Sequence, residues 1–309
     1  MKRTFTMTVI TVVAAMAAAS GAYALGFATV VKEKDQEKIS RCAWESDPNN
    51  FNAVSLKGKP GKRDNIWIRT SGKPFEIDVS LEVKDMSVLY DSRATATGKK
   101  IVLNKGNLSF MAGGSPNNNN FLKLTKCEMD VSGSLQFWFW EKYKSAGTST
   151  LFLEDSKMTL TGNIQFTQPA MYLKAVKNKT GAEINLTGAS MIKGKGTIIA
   201  DSILNETPDL HFRLVFNEKD GKIPVISMAD ASLDGVEIHV NVKGDVKNGT
   251  YPILELTGKN APKGKMRGFY INGKSASLGS PVAANGKDFT IELGSADGKA
   301  TNDYVLTVK

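Results

Sequence analysis

The chain is poor in the residues that build most catalytic and metal centres. Its 309 residues include two histidines and two cysteines, and His211, His239, Cys42 and Cys127 lack the spacing of a standard zinc site. A G-x-S-x-G elbow, an H-E-x-x-H pair and a phosphate-cradling glycine loop are all missing. Carboxylates do not gather either. Glu154-Asp155 are adjacent and Glu45/Asp47 are spaced, but both sets fall in predicted turns, where solvated acids are expected. Neither histidine is read with an acid partner, and a strand surface is the expected home of both. The sequence therefore predicts no catalytic residue, no cofactor and no metal.

Long apolar runs are confined to the start. Lys2 and Arg3 precede an uncharged apolar stretch from about Met7 to Ala19, followed by Gly21-Ala22-Tyr23-Ala24. That order is a secretory signal peptide with cleavage expected after Ala24, because the run is too short to span a hydrocarbon core of roughly 30 Å. No later stretch is apolar enough to span, so the mature protein is expected outside the cytoplasm: extracellular, at the cell surface or periplasmic. There Cys42 and Cys127 are either one disulfide or two free thiols. A bridge over so long a loop would contribute about 4 to 5 kcal/mol through the unfolded chain, and only coordinates show whether the two Cα atoms are within reach.

Helix periodicity is the third absence. The charged segment Val31 to Arg41 has no apolar stripe, and everything downstream alternates apolar and polar residues in short runs broken by Gly, Asn, Asp and Ser. The predicted class is all-β. The net charge of +9 comes from basic residues scattered along the chain, often at turns (Lys57, Lys59, Lys62 and Arg63; Lys193 and Lys195), which is a solvated surface rather than a polyanion face. Nucleic acid is not an expected partner.

What the chain does have is an internal repeat. Residues 122–137 (LKLTKCEMDVSGSLQF) align without a gap on 151–166 (LFLEDSKMTLTGNIQF). Three apolar pairs recur: Leu122/Leu124, Met129/Val131 and Leu135/Phe137, then Leu151/Leu153, Met158/Leu160 and Ile164/Phe166. Residues i and i+2 of a strand share a face, so each pair marks an inward step and each gap a bend. Three strands make one coil, and stacked coils bury an interior that no single coil could. Gly133 and Gly162 share a bend, where positive φ is the expected reason for glycine. Fainter copies place Leu81/Val83 and Leu108/Phe110 ahead of Leu135/Phe137, and Ile184/Leu186 after Met158/Leu160; Gly106 and Gly188 fall close to the expected bend.

The expected fold is thus a right-handed parallel β-helix or solenoid, with a β-sandwich as the competitor. The expected organisation is a signal peptide at 1–24, an irregular cap at 25–74, solenoid repeats at 75–204 with an inserted loop from Gly113 to Asn120, and a C-terminal β-rich capping region at 205–309. That last region reads either as hairpins or as further coils.

Trp44, Phe51-Asn52, Pro60-Gly61 and Asp64-Asn65-Ile66, followed by Ile77, Val79, Leu81 and Val83, resemble the start of secreted bacterial β-solenoids with autotransporter-associated β-strand repeats. The pattern [LV]-[ST]-G-x-[LI]-x-F at Val131–Phe137 and Leu160–Phe166 is similar to their coil motif. Gly249 to Leu254 and Asn302 to Lys309 are similar to the close of such passenger-like proteins. A translocator barrel has no counterpart in residues 205–309, which end on a charged Lys309, so self-secretion is not expected. The resemblance implies an adhesive or structural envelope role and supplies no catalytic residues.

One surface stands out. If Phe137 and Phe139 point inward, Trp138 and Trp140 point outward beside Tyr143, with Lys142 and Lys144 close by. Exposed aromatics at i and i+2 suit stacking on acidic sugars; the alternative is packing beneath the loop at 112–120 or beneath a neighbouring strand. The expected partner is a polysaccharide or another cell-surface component. Carbohydrate-active β-helix enzymes and plain glycan-binding modules are the competing functions.

Overall fold

The structure is a computed structural model that describes residues 42–44, 60–69, 74–89, 92–112, 119–139, 147–166, 180–205, 209–243, 246–258, 260–295 and 302–309. The signal peptide and its Ala24 site, most of the expected N-terminal cap, Trp140 and Tyr143 lie outside the described residues.

The fold is all-β, built from three long sheets of eight, nine and ten strands, here sheets I, II and III. In sheet I, β1 (Cys42–Trp44) runs antiparallel to β2 (Asn65–Ile68). From there the chain visits sheets II, III and I in strict rotation. The first circuits are β3 (Phe75–Ile77), β4 (Leu81–Val83) and β5 (Asp85–Leu89), then β6 (Arg93–Thr97), β7 (Lys100–Leu103) and β8 (Leu108–Ala112). Next come β9 (Asn120–Thr125), β10 (Glu128–Val131) and β11 (Leu135–Phe139), then β12 (Thr148–Glu154), β13 (Lys157–Leu160) and β14 (Ile164–Phe166). The rotation continues through β15 (Thr180–Thr187), β16 (Met191–Gly194) and β17 (Thr197–Ala200), then β18 (Leu210–Asn217), β19 (Val225–Met228) and β20 (Asp230–Ser232).

Each strand pairs in parallel with the strand one circuit away, and the two strong repeats lie in register. Leu122 and Leu124 pair with Leu151 and Leu153, Met129 and Val131 with Met158 and Leu160, and Leu135 and Phe137 with Ile164 and Phe166. All twelve are at most 2% exposed. They belong to one apolar cluster that runs from Ile66 to Val308. Inside it Phe110 stacks on Phe137 with centroids 5.1 Å apart, and Phe166 on Phe212 at 5.3 Å. An antiparallel sandwich is excluded by this pairing, and the parallel-rich sheets are consistent with the coiled reading.

The fainter copies need correction. Leu81 and Val83 lie in sheet III against Ile101 and Leu103, while the partners of Leu108 and Phe110 one circuit earlier are Met86 and Val88. Ile184 and Leu186 pair with Leu151 and Leu153 in sheet II, not with Met158 and Leu160. The circuits differ in length mainly because the chain between sheets I and II varies: it takes 90–92, 113–119, 140–147, 167–179, 201–209 and 233–235 in successive circuits. In the two strong repeats the other two corners stay short, at 126–127 and 155–156 and at 132–134 and 161–163, whereas further along the corner between sheets II and III takes 218–224 and 242–248.

Those short corners are held by side-chain ladders. Asn107 N–H donates to Asp85 Oδ1 (2.6 Å), Ser134 N–H to Asn107 Oδ1 (2.8 Å), Asn163 N–H to Ser134 Oγ (3.0 Å) and Thr197 N–H to Asn163 Oδ1 (2.9 Å). At the corner between sheets II and III, Cys127 N–H donates to Ser156 Oγ (3.0 Å) and Ser156 N–H to Ser190 Oγ (3.2 Å). Turn amides that no strand could satisfy thus find acceptors inside the stack. Gly133 and Gly162 have a different reason from the expected one, since neither is a positive-φ residue. A Cβ at Gly133 would sit 2.5 Å from Gly106 O, and one at Gly162 2.7 Å from Gly133 O. Close stacking of turn on turn, not handedness of the turn, demands glycine there.

The stack also crosses both expected boundaries. β2 already pairs with β5 and buries Ile66 and Ile68. Beyond residue 204 the rotation continues through β18, β19 and β20 to β21 (Val236–Asn241) and β22 (Gly249–Leu256), and β23 (Gly268–Ile271) adds in parallel to β21. Only then do antiparallel strands close the end: β24 (Lys274–Ala276) on β23, and β25 (Val282–Ala284), β26 (Lys287–Gly294) and β27 (Asp303–Val308) on β22. The free edge of β20 is covered by Lys263, whose N–H donates to Ala231 O (2.9 Å) and whose carbonyl oxygen accepts from Leu233 N–H (2.8 Å). Exposed sheet edges recruit other chains, so this closure protects the rod.

Candidate binding face on sheet II

Alternation along β18 and β21 turns Phe212, Leu214, Ile238 and Val240 inward and sets His211, Arg213, Glu237 and His239 on the outer face of sheet II. Register then assembles them. Arg213 pairs with Glu237, and His239 with Tyr270 of β23. Outward side chains on an open sheet are normally solvated, yet His211 and Glu237 are each only 6% exposed.

Glu237 is the hub. Arg213 Nε donates to its Oε2 at 2.9 Å, His239 Nε2 lies 3.0 Å from the same oxygen, and Arg267 Nη1 is 3.7 Å from Oε1. Burial works to raise the pKa of this carboxyl, but the hydrogen bonds and charges of His239 and Arg213 override it and hold it at about 2. An ionised Glu237 accepts a hydrogen bond, so His239 Nε2 carries the proton that faces it. The His239 ring stacks on Tyr270 at 4.4 Å with planes 9° apart. Arg267 is anchored from below, with Nη1 donating to Leu210 O at 2.6 Å and Nη2 to Leu204 O.

His211 lies against Gly181, its register partner, where a Cβ would strike the imidazole. Its Nε2 is buried without a hydrogen-bond partner. Burial first, and the neighbouring Arg213 charge second, hold its pKa down at about 4, so the ring is neutral near pH 7.

The site residues singled out from the sequence lie outside this cluster. Trp138 is half-buried on the outer face of sheet I, in register with Met111, which in turn pairs with Leu89. That apolar row ends where the chain leaves for sheet II. Cys127 is a buried free thiol that accepts from Lys99 N–H (3.4 Å) and donates to Thr125 O (3.3 Å), taking the place that serine has at Ser156 and Ser190. β1, which carries Cys42, lies four strands from β11 in sheet I, about 19 Å along the stack and beyond the roughly 7 Å reach of a disulfide. The side chain of Cys42 is outside the described residues. Glu154 and Asp155 are not simply solvated turn acids: Lys219 Nζ bridges them at 3.0 and 2.9 Å, Lys123 adds to Glu154, and these hydrogen bonds lower both carboxyls.

The sheet II cluster was visible in part. Glu237 stands two residues before His239 in Val236-Glu237-Ile238-His239-Val240, and that spacing within a strand puts both on one face. Arg213, Arg267 and Tyr270 come from other circuits, and no spacing announces them. A hollow of about 300 Å³ on the C-terminal strands, lined by Asp288, Thr290, Glu292, Thr307 and Lys309 among others, has its Glu292 tied to Thr307 Oγ1 at 2.7 Å and gathers no comparable set of donors. No group of three or more His, Cys, Asp or Glu able to hold a metal occurs among the described residues.

No family model, curated protein or solved structure matches the chain.

Proposed function

We propose that the chain is an exported, right-handed parallel β-solenoid of the autotransporter-associated repeat kind that works outside the cytoplasm as a non-enzymatic adhesive or structural protein. The observation that carries the reading is the strict rotation of parallel strands through three sheets from β3 to β22, with the longest connection of that rotation, 167–179, at the corner between sheets I and II. A rod of that build offers flat outer faces and a row of stacked connections to an extended partner. Trp138 emerges at that corner, and with Trp140 and Tyr143 it forms the proposed aromatic contact to a polysaccharide.

A carbohydrate-active enzyme is the second reading, favoured by the Glu237–His239 pair beside Arg213. Against it, the carboxyls whose titration is clearly displaced, Glu154, Asp155 and Glu237, are all displaced downward, which suits ion pairs and not a general acid near neutral pH. The test is to incubate the mature protein with a panel of acidic and neutral polysaccharides and score both retention and chain cleavage. Retention without cleavage is the expected result; cleavage would install the enzyme reading, and neither would end the adhesive one. Replacing Trp138 and Trp140 together by Ala is expected to weaken retention, and unchanged retention would remove the aromatic contact.

A further inference from the structure

Building on the binding role proposed above, we infer that the outer face of sheet II holds a site for a carboxylate-bearing sugar, with Arg213 gripping the carboxylate and Tyr270 and His211 on either side of it. Three donors are left uncommitted there. Arg213 uses Nε for Glu237 and keeps its two terminal nitrogens free, at a side chain 36% exposed. Tyr270 has its ring stacked on His239 and its hydroxyl unbonded. His211 Nε2 is buried and without a partner. A buried imidazole nitrogen left unpaired costs about 1 to 3 kcal/mol in a finished structure, whereas a ligand hydroxyl would complete it.

The surroundings are built to present these groups. Glu237 is met by Arg213, His239 and Arg267, so its charge is consumed internally and its role is to fix the Arg213 fork and the His239 ring. Glu183, in register with Arg213, is the other carboxylate of the patch and is engaged by Asn185 Nδ2 at 2.8 Å. Gly181 lets the His211 ring lie flat on the sheet, and Tyr270 leans back over Gly268, which stands in one register row with Glu237 and Arg213, so its hydroxyl lies beside that row. A planar guanidinium with two parallel N–H groups matches a carboxylate. The outer face of sheet III, by contrast, alternates exposed Lys100, Glu128 and Lys157 in register and has no such enclosure.

Binding of polygalacturonate, its methyl ester and free galacturonate to the full mature chain tests this. Wild type is expected to bind polygalacturonate and to lose about tenfold or more with the ester, which keeps the ring and removes the charge. Arg213→Gln is expected to lose about tenfold or more and Tyr270→Phe a few-fold, while Lys157→Gln on sheet III stays within about twofold. Competition by free galacturonate would mark a single-ring site, and binding of the polymer alone a site spread over several coils; both support the assignment. If wild type binds while Arg213→Gln and Tyr270→Phe bind equally well, or the ester binds as tightly, the site is elsewhere and only this inference falls. If wild type retains no polysaccharide at all, the binding role itself falls.

Discussion

Through the two strong repeats the chain turns between sheets II and III within 126–127 and 155–156 and between III and I within 132–134 and 161–163, whereas between sheets I and II it takes 113–119, 140–147 and 167–179 around them. The short corners stack amide on side chain and glycine on carbonyl, so a change in their length would break that stacking. The long corner obeys no such constraint, because closure entropy grows only slowly with loop length. The largest length variation therefore lies on one edge of the rod, where Trp138 leaves sheet I and His211 enters sheet II.

The largest effects should come from breaking the short corners and the layer between them. Phe137→Ala removes a side chain that is 1% exposed and stacked on Phe110, and a loss of about 3 to 5 kcal/mol in denaturant unfolding is expected. Gly133→Ala should cost more than about 2 kcal/mol, since its Cβ meets a carbonyl of the previous coil. Gly273→Ala, at φ +73 with open space around it, should cost only about 1 kcal/mol. Equal losses at the two glycines would mean that turn stacking is not what holds the corner.

The outer face of sheet II should show itself through pH. Protonation of the unfolded chain near pH 6.5 is not matched by the folded one until about pH 4 at His211, so stability present above 6.5 is lost as pH falls through that window, by up to roughly 3 kcal/mol. Glu237, held at about 2 against an ordinary 4.5, adds a second loss of similar order between about pH 4.5 and 2. Unfolding of His211→Gln followed against pH should lack the first limb and keep the second. An unchanged first limb would assign it to another group.

Smaller still are the polar rungs. Ser156→Ala leaves the Cys127 amide without its acceptor and is expected to cost about 1 to 3 kcal/mol. Cys127→Ser extends the serine ladder and should stay within about 1 kcal/mol of wild type.

The sequence made the repeat legible wherever both short corners keep their length. Leu135 over Ile164 and Met129 over Met158 follow from inward pairs at a constant offset. Leu81/Val83 and Ile184/Leu186 were misplaced because an offset counts residues through the long corner, whose length carries no structural information. The inward spacing within a circuit is the better guide. For the site, Glu237 and His239 share a strand face and could be read together, but Arg213 and Tyr270 reach them only through strand register, and Arg267 only through the carbonyls of Leu204 and Leu210.

Spin labels on one outer column of sheet I test the stacking most directly. Ser87 stands three strands from Gln165 and five from Ser232 in that column. The account predicts backbone separations of about 14 and 24 Å, growing by about 4.8 Å per strand. Separations that fail to increase from Gln165 to Ser232 would contradict it.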